Sequence, residues 1–268
     1  MTLTDSAIRS RLPAVAGLFY PDDPYELRAV VQGFLDASRP IATRPKAIIV
    51  PHAGYVYSGP VAATAYRSLV DCDPPVTRVV IAGPSHRIAV PGIAVPEVTA
   101  FETPLGPVPI DLDTIGMLSG LPGVHASNAP HRLEHSLEVQ LPFLQMTLGD
   151  FRIVPLAVGD ASPSVVASVL DACWGGPETL IVVSTDLSHY HDYASARELD
   201  SSTARAIVRC SDHLQDEQAC GCRIVNGLMQ VARRRGMSVD LLDLRNSGDT
   251  SGDRSRVVGY GAFALHDA

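Results

Sequence analysis

Four runs of almost unbroken apolar residues, at 46–51, 77–83, 151–158 and 179–185, punctuate the chain. The absence of polar alternation within them is the pattern of strands covered on both faces. Between the runs, apolar residues recur at helical spacing over 25–37, 59–70, 133–148, 163–173, 194–209 and 224–235. Strand and helix therefore alternate, which predicts an α/β fold: a single-domain mixed sheet layered by helices. Asp23 before Pro24 and Ser162 before Pro163 each set a capping oxygen ahead of a proline suited to a first helical turn. Pro142 lies inside the 133–148 segment and predicts a kink or a split there. Residues 238–244 and 256–265 read as two further strands around a polar segment, 245–254, whose small residues favour a loop. No repeat, linker or low-complexity tract divides the chain, so residues 1–268 are read as one domain.

Composition narrows the function classes. The hydrophobic set is 46% and the charged set 19%, enough apolar material for a large core and too much for a disordered chain. The 21 Lys+Arg against 29 Asp+Glu give a net charge of −8, which argues against a nucleic-acid partner. No apolar run approaches the roughly 18 residues of a membrane span, and the N-terminal segment has no signal-peptide core. The expectation is a cytoplasmic protein with no membrane partner. Cys72, Cys173, Cys210, Cys220 and Cys222 are odd in number and scattered, so reduced thiols are expected rather than a disulfide framework.

The chemistry is first signalled by position. The apolar runs 46–51, 77–83 and 179–185 lead into His52, His86 and His189 respectively. In open α/β sheets ligands bind beyond the carboxyl ends of the strands, so three imidazoles are expected at one edge. Cys220 and Cys222 precede the helix expected from residue 224, where the helix dipole would favour a thiolate. Imidazoles with a thiolate suit a borderline or soft transition metal, iron or zinc before magnesium. Asp186 either orients His189, coordinates directly or caps the following turn. His131 and His135 are four apart but lack the H-E-x-x-H order of a zincin, which leaves His135 as a residue on a helix that either supports the site or faces substrate, or else only packs or caps. Neither a phosphate loop, a dinucleotide fingerprint nor a G-x-S-x-G elbow occurs, which sets aside kinase, dehydrogenase and α/β-hydrolase readings. The three arginines Arg233–Arg235 read as a helix terminus.

The patches RLPAVAGLFYP (11–21), IVPHAGY (49–55), GPSH (83–86), EHSLE (134–138), STDLSH (184–189), Cys220-Gly221 and VVGY (257–260) resemble the Memo family, which includes protein B of the AmmeMemoRadiSam system. Memo proteins are similar in fold to class III extradiol dioxygenases, which hold non-heme iron with two histidines and a glutamate. The resemblance implies His52 and His86 as imidazole ligands and Cys220, rather than Cys222, in the place of the third ligand. It implies His189 as the acid/base residue and His135 as a further active-site histidine. Fe(II) is the implied ion, with Zn or Cu as the others this donor set accepts, and the implied activity is redox chemistry on a small-molecule substrate. Alternatives are a non-catalytic adaptor for AMMECR-type and radical-SAM protein partners, and a zinc hydrolase.

Overall fold

The computed structural model describes residues 10–39, 43–70, 72–250 and 252–267. In chain order the elements are β1 (Ser10–Arg11), α1 (Pro24–Ala37), β2 (Ala47–Val50), α2 (Tyr55–Tyr66), β3 (Arg78–Pro84), β4 (Ile93–Val95), β5 (Ala100–Thr103), β6 (Gly106–Pro109), α3 (Leu112–Leu118), β7 (Val124–Ala126), α4 (Ala129–Arg132), α5 (Leu141–Thr147), β8 (Arg152–Val158), α6 (Pro163–Ala172), β9 (Thr179–Ser184), β10 (His189–His191), α7 (Tyr193–Val208), α8 (Cys222–Arg235), β11 (Ser238–Asn246) and β12 (Val257–His266). The expected mixed sheet layered by helices is what forms.

Its centre is the parallel set β2, β9, β3 and β8, in that spatial order. Every residue of β2 and β9 is buried, as their unbroken apolarity requires. Antiparallel strands close the two sides: β12 pairs with β2, and β4 pairs with β8 and carries β7 in parallel beyond it. The long strand β12 also pairs with β11, while its first residues pair with β10. A small second sheet, β1-β5-β6, stands apart. Both expected N-caps form: Asp23 accepts from the Tyr25 and Glu26 N–H groups, and Ser162 from that of Val165.

Three expectations are corrected. The helix-spaced segment 133–148 is split, as expected, but not at Pro142: α4 ends at Arg132, turns follow, a 3₁₀ turn covers Glu138–Gln140, and α5 begins at Leu141. Pro142 falls in the first turn of α5, where its missing N–H is harmless, so the chain breaks ahead of the proline. His135 therefore lies in a turn and not on a helix. Helix α2 begins at Tyr55 instead of residue 59, with Pro60 inside it. The polar 245–254 segment is not all loop, because β11 continues through Asn246 and a 3₁₀ turn with a capping box follows. The short elements β4 to β7 and α3 carry too few residues for a periodicity to have declared them.

Candidate metal centre

Strands β2, β9 and β3 are neighbours and run parallel, so their carboxyl ends open on one edge of the sheet. His52 lies just past β2, Asp186 just past β9 and His86 just past β3. The edge thus assembles groups that are far apart in sequence. The rings of His52 and His86 are 5.1 Å apart, those of His86 and His135 4.9 Å, and those of His52 and His135 5.4 Å. One ligating atom each from His52, His86 and Cys220 fall within 4.8 Å of one another. His86, Glu134 and His135 meet the same limit.

Hydrogen bonding separates the two groupings. Glu134 accepts from the His86 ring Nδ1 at 2.9 Å, and from the backbone N–H groups of His86, His135 and Ser136 at 2.6, 2.9 and 2.9 Å. Burial pushes the Glu134 carboxyl up, but the His86 ring and those backbone donors outweigh it and hold it at about 2. A carboxylate this fully engaged is a support for His86 and not a free ligand. Its grip on Nδ1 turns the Nε2 edge of His86 outward, the arrangement by which carboxylates orient metal-binding imidazoles.

Cys220 reaches the site from the loop before α8. Its sulfur is 3.4 Å from His52 Nε2 and accepts the Asp186 N–H at 3.3 Å. The Gly221 N–H donates to Thr185 Oγ1 at 2.8 Å, tying the start of α8 to the end of β9. A Cβ on Gly221 would lie 2.8 Å from Thr185 Cβ, so glycine is what allows this approach. Cys222 points elsewhere and donates to Asp216 Oδ1 at 2.9 Å. The expected thiolate is corrected: burial, then the Asp186 carboxylate, pushes the Cys220 thiol up to about 12. Cys220 precedes the helix cap Gly221, and desolvation outweighs the dipole there.

Asp186 accepts the His52 backbone N–H at 2.7 Å through Oδ1, and its other oxygen is 4.0 Å from His52 Nε2. The latter contact is not an ion pair, because burial and then the neighbouring imidazoles His86 and His135 hold His52 well below the ordinary histidine value. Burial raises Asp186 to about 7. It thus braces the His52 backbone, and its partners do not include the His189 ring. His189 opens β10, next to Tyr190 at φ +64°. Burial lowers the His189 imidazole, with the Leu187 backbone opposing. Burial also lowers His135, to about 4.

The sequence reading missed two supports. Glu134 sits in the EHSLE patch without a role assigned there, yet it anchors His86. Arg11 donates to the backbone carbonyls of His131 and Glu134 at 2.7 and 2.5 Å and pairs with buried Glu138 at 2.5 Å. Glu138 in turn accepts the Ala14 and Val15 N–H groups and the Tyr20 hydroxyl. The N-terminal segment therefore clamps the turn that carries Glu134 and His135. Nothing in the spacing of residue 11 and residue 134 could have announced this.

The residues fit a metal ion. Bonds of about 2.1 Å to nitrogen and 2.3 Å to sulfur in a tetrahedral arrangement separate N and S by about 3.6 Å. The His52 to Cys220 distance of 3.4 Å is close to that. A cleft of about 550 Å³ opens beside Cys220, walled by Pro84, Val90, Val158 and Ile224, with Ser85 and the ion pair Arg223–Asp160 among its polar groups.

The chain matches the family model described as Memo-like protein over residues 11–264. It is 38% identical to a MEMO1 family protein of Ignicoccus hospitalis, covering 94% of this chain and 97% of that one. A MEMO1 family protein of Methanosarcina acetivorans is 35% identical over 95% of this chain and 98% of its own length. One from Thermotoga sp. strain RQ2 is 36% identical over 93% and 97%. Among solved structures, the uncharacterized protein JW3007 from Escherichia coli K12 shares the fold, at a TM-score of 0.50 and 12% identity, covering 82% of this chain and 100% of its own. With His52, His86 and Cys220 gathered on one edge, and near-complete coverage by these relatives, the chain belongs to the Memo family.

Proposed function

We propose that this protein is a metal-dependent redox enzyme that acts on a small molecule and holds a transition-metal ion, iron first, through His52, His86 and Cys220. The carrying observation is the clustering of those three donors within 4.8 Å at the carboxyl edge of the sheet. Bound iron would supply one-electron chemistry and Lewis acidity toward dioxygen or a substrate heteroatom. The adjoining cleft of about 550 Å³ is in the range that accepts a small organic molecule.

The protein groups have distinct parts in this reading. Cys220 begins as a thiol and must give up its proton when it becomes a ligand, so metal binding releases a proton from the site. Asp186, raised to about 7, is the adjacent carboxyl able to take up and return a proton near neutral pH. Burial keeps His189 and His135 unprotonated, so each presents a free ring lone pair that can accept a hydrogen bond from substrate. Glu134 keeps His86 in place throughout.

Metal analysis of anaerobically isolated protein tests the reading, with about one iron per chain expected. His52→Ala and Cys220→Ser should each abolish it. Full occupancy in both variants would overturn the ligand assignment. Zinc in place of iron would favour hydrolysis over redox chemistry, the reading that the near-tetrahedral His52 to Cys220 separation also suits.

A further inference from the structure

A buried chain of polar side chains lies behind His52, on the side away from Cys220, and none of its members belongs to the donor set. Tyr66, Gln140 and Ser184 are all buried. The Tyr66 hydroxyl is 2.9 Å from Gln140 Oε1. Gln140 Nε2 is 2.9 Å from the Pro51 carbonyl oxygen and 2.9 Å from Ser184 Oγ. Ser184 Oγ is 2.6 Å from the Ser136 carbonyl oxygen and 2.9 Å from His52 Nδ1.

Hydrogen positions follow by elimination. The Pro51 carbonyl can only accept, so the Gln140 atom facing it must be the amide nitrogen, and Oε1 is left to accept the Tyr66 hydroxyl. The second amide hydrogen then points at Ser184 Oγ. The Ser136 carbonyl also can only accept, so the one hydroxyl proton of Ser184 goes there. A hydroxyl has one donor and two acceptor sites. With its proton committed and one lone pair filled by Gln140, Ser184 can meet His52 only as an acceptor.

We propose that Tyr66, Gln140 and Ser184 act as positioning residues that fix His52 as the Nδ1–H tautomer, so that its sole lone pair lies on Nε2, facing Cys220. The network has no spare donor or acceptor with which to accommodate the other tautomer. His86 reaches the same presentation by a different device, a carboxylate on Nδ1. His52 uses a neutral hydroxyl, which orients the ring without placing a charge behind it. For its affinity arm this inference rests on the metal reading above; for its tautomer arm it does not.

The test begins with the metal-free wild-type chain labelled with ¹⁵N-histidine. Long-range ¹H–¹⁵N spectra, with His52 assigned by its loss in His52→Gln, should show a protonated Nδ1 and a bare Nε2. A protonated Nε2 would overturn the proposal whatever the variants do. Ser184→Ala should lower affinity for added Fe(II) or Zn(II) by about 10–100-fold, measured by chelator competition. It should also scramble the His52 tautomer, whereas Ser184→Thr, which keeps the Oγ, should restore both. Unchanged affinity and an unchanged His52 spectrum in Ser184→Ala would refute the relay. If the wild-type chain itself bound neither ion, the metal reading would fall, and the wild-type spectrum alone would still decide the tautomer.

Discussion

Cys220 and Cys222 stand two positions apart and have opposite surroundings. The first faces the His52 ring with its sulfur 3.4 Å from Nε2; the second donates to Asp216 at 2.9 Å and lies outside the donor cluster. Cys222→Ser preserves a hydrogen-bond donor for Asp216. It should therefore leave metal content unchanged and shift stability by no more than about 1 kcal/mol, read by urea denaturation. Cys220→Ser should instead empty the site. Loss of metal from Cys222→Ser with retention in Cys220→Ser would reverse the assignment. From sequence, the two thiols were equivalent on local grounds, and only the family resemblance favoured Cys220.

At the scale of elements, the turn between α4 and α5 shows why local periodicity misled. Apolar residues at helical spacing across 133–148 suggested a helical segment interrupted at Pro142, but the helix is already lost over 133–137, where Arg11 binds the His131 and Glu134 carbonyls and Glu134 binds backbone N–H groups that a helix would need. Tertiary hydrogen bonds replaced the helical ones. A second inter-element tie joins β3 to α3, where Arg78 donates to Asp111 at 2.7 Å while Asp111 caps α3 through the Thr114 N–H. Burial raises the Asp111 carboxyl, but the Thr114 N–H and Arg78 outweigh it, leaving it below its ordinary 3.8. A lowered folded value means a stabilising contribution that is complete above the unfolded value and is lost as pH falls through the folded one. Asp111→Asn should therefore lower stability at neutral pH and flatten the loss of stability below about pH 4, followed by thermal unfolding across pH. A variant with the wild-type acid slope would show that the tie is energetically silent.

For the whole molecule, a metal that binds only the folded chain couples the site to global stability. Free metal at about 100 times its Kd adds about 2.7 kcal/mol. At about 2–4 °C per kcal/mol for a chain of this size, Tm should rise by about 5–10 °C. Calorimetry with Fe(II) under anaerobic conditions, or with Zn(II), should show this rise in the wild type and not in Cys220→Ser. An equal rise in both would place the binding elsewhere. Among the described residues no helix is long and apolar enough to cross a membrane, in keeping with the absence of long apolar runs.

The sequence by itself determined the central strands, because buried parallel strands must be apolar throughout and short unbroken runs state that directly. It also determined that imidazoles stand at strand ends, since His52 and His86 follow such runs within a few residues. Family membership was legible as well, in patches spread over nearly the full length. Only the tertiary structure decided which groups meet. Ser184 and His52 are 132 residues apart, and Cys220 and His52 are 168 apart. Their contacts depend on β9 lying between β2 and β3, a spatial order that no local spacing encodes. The same holds for proton placement: the His52 tautomer follows from which carbonyls and hydroxyls the folded chain packs behind the ring, and these come from four separate segments of sequence.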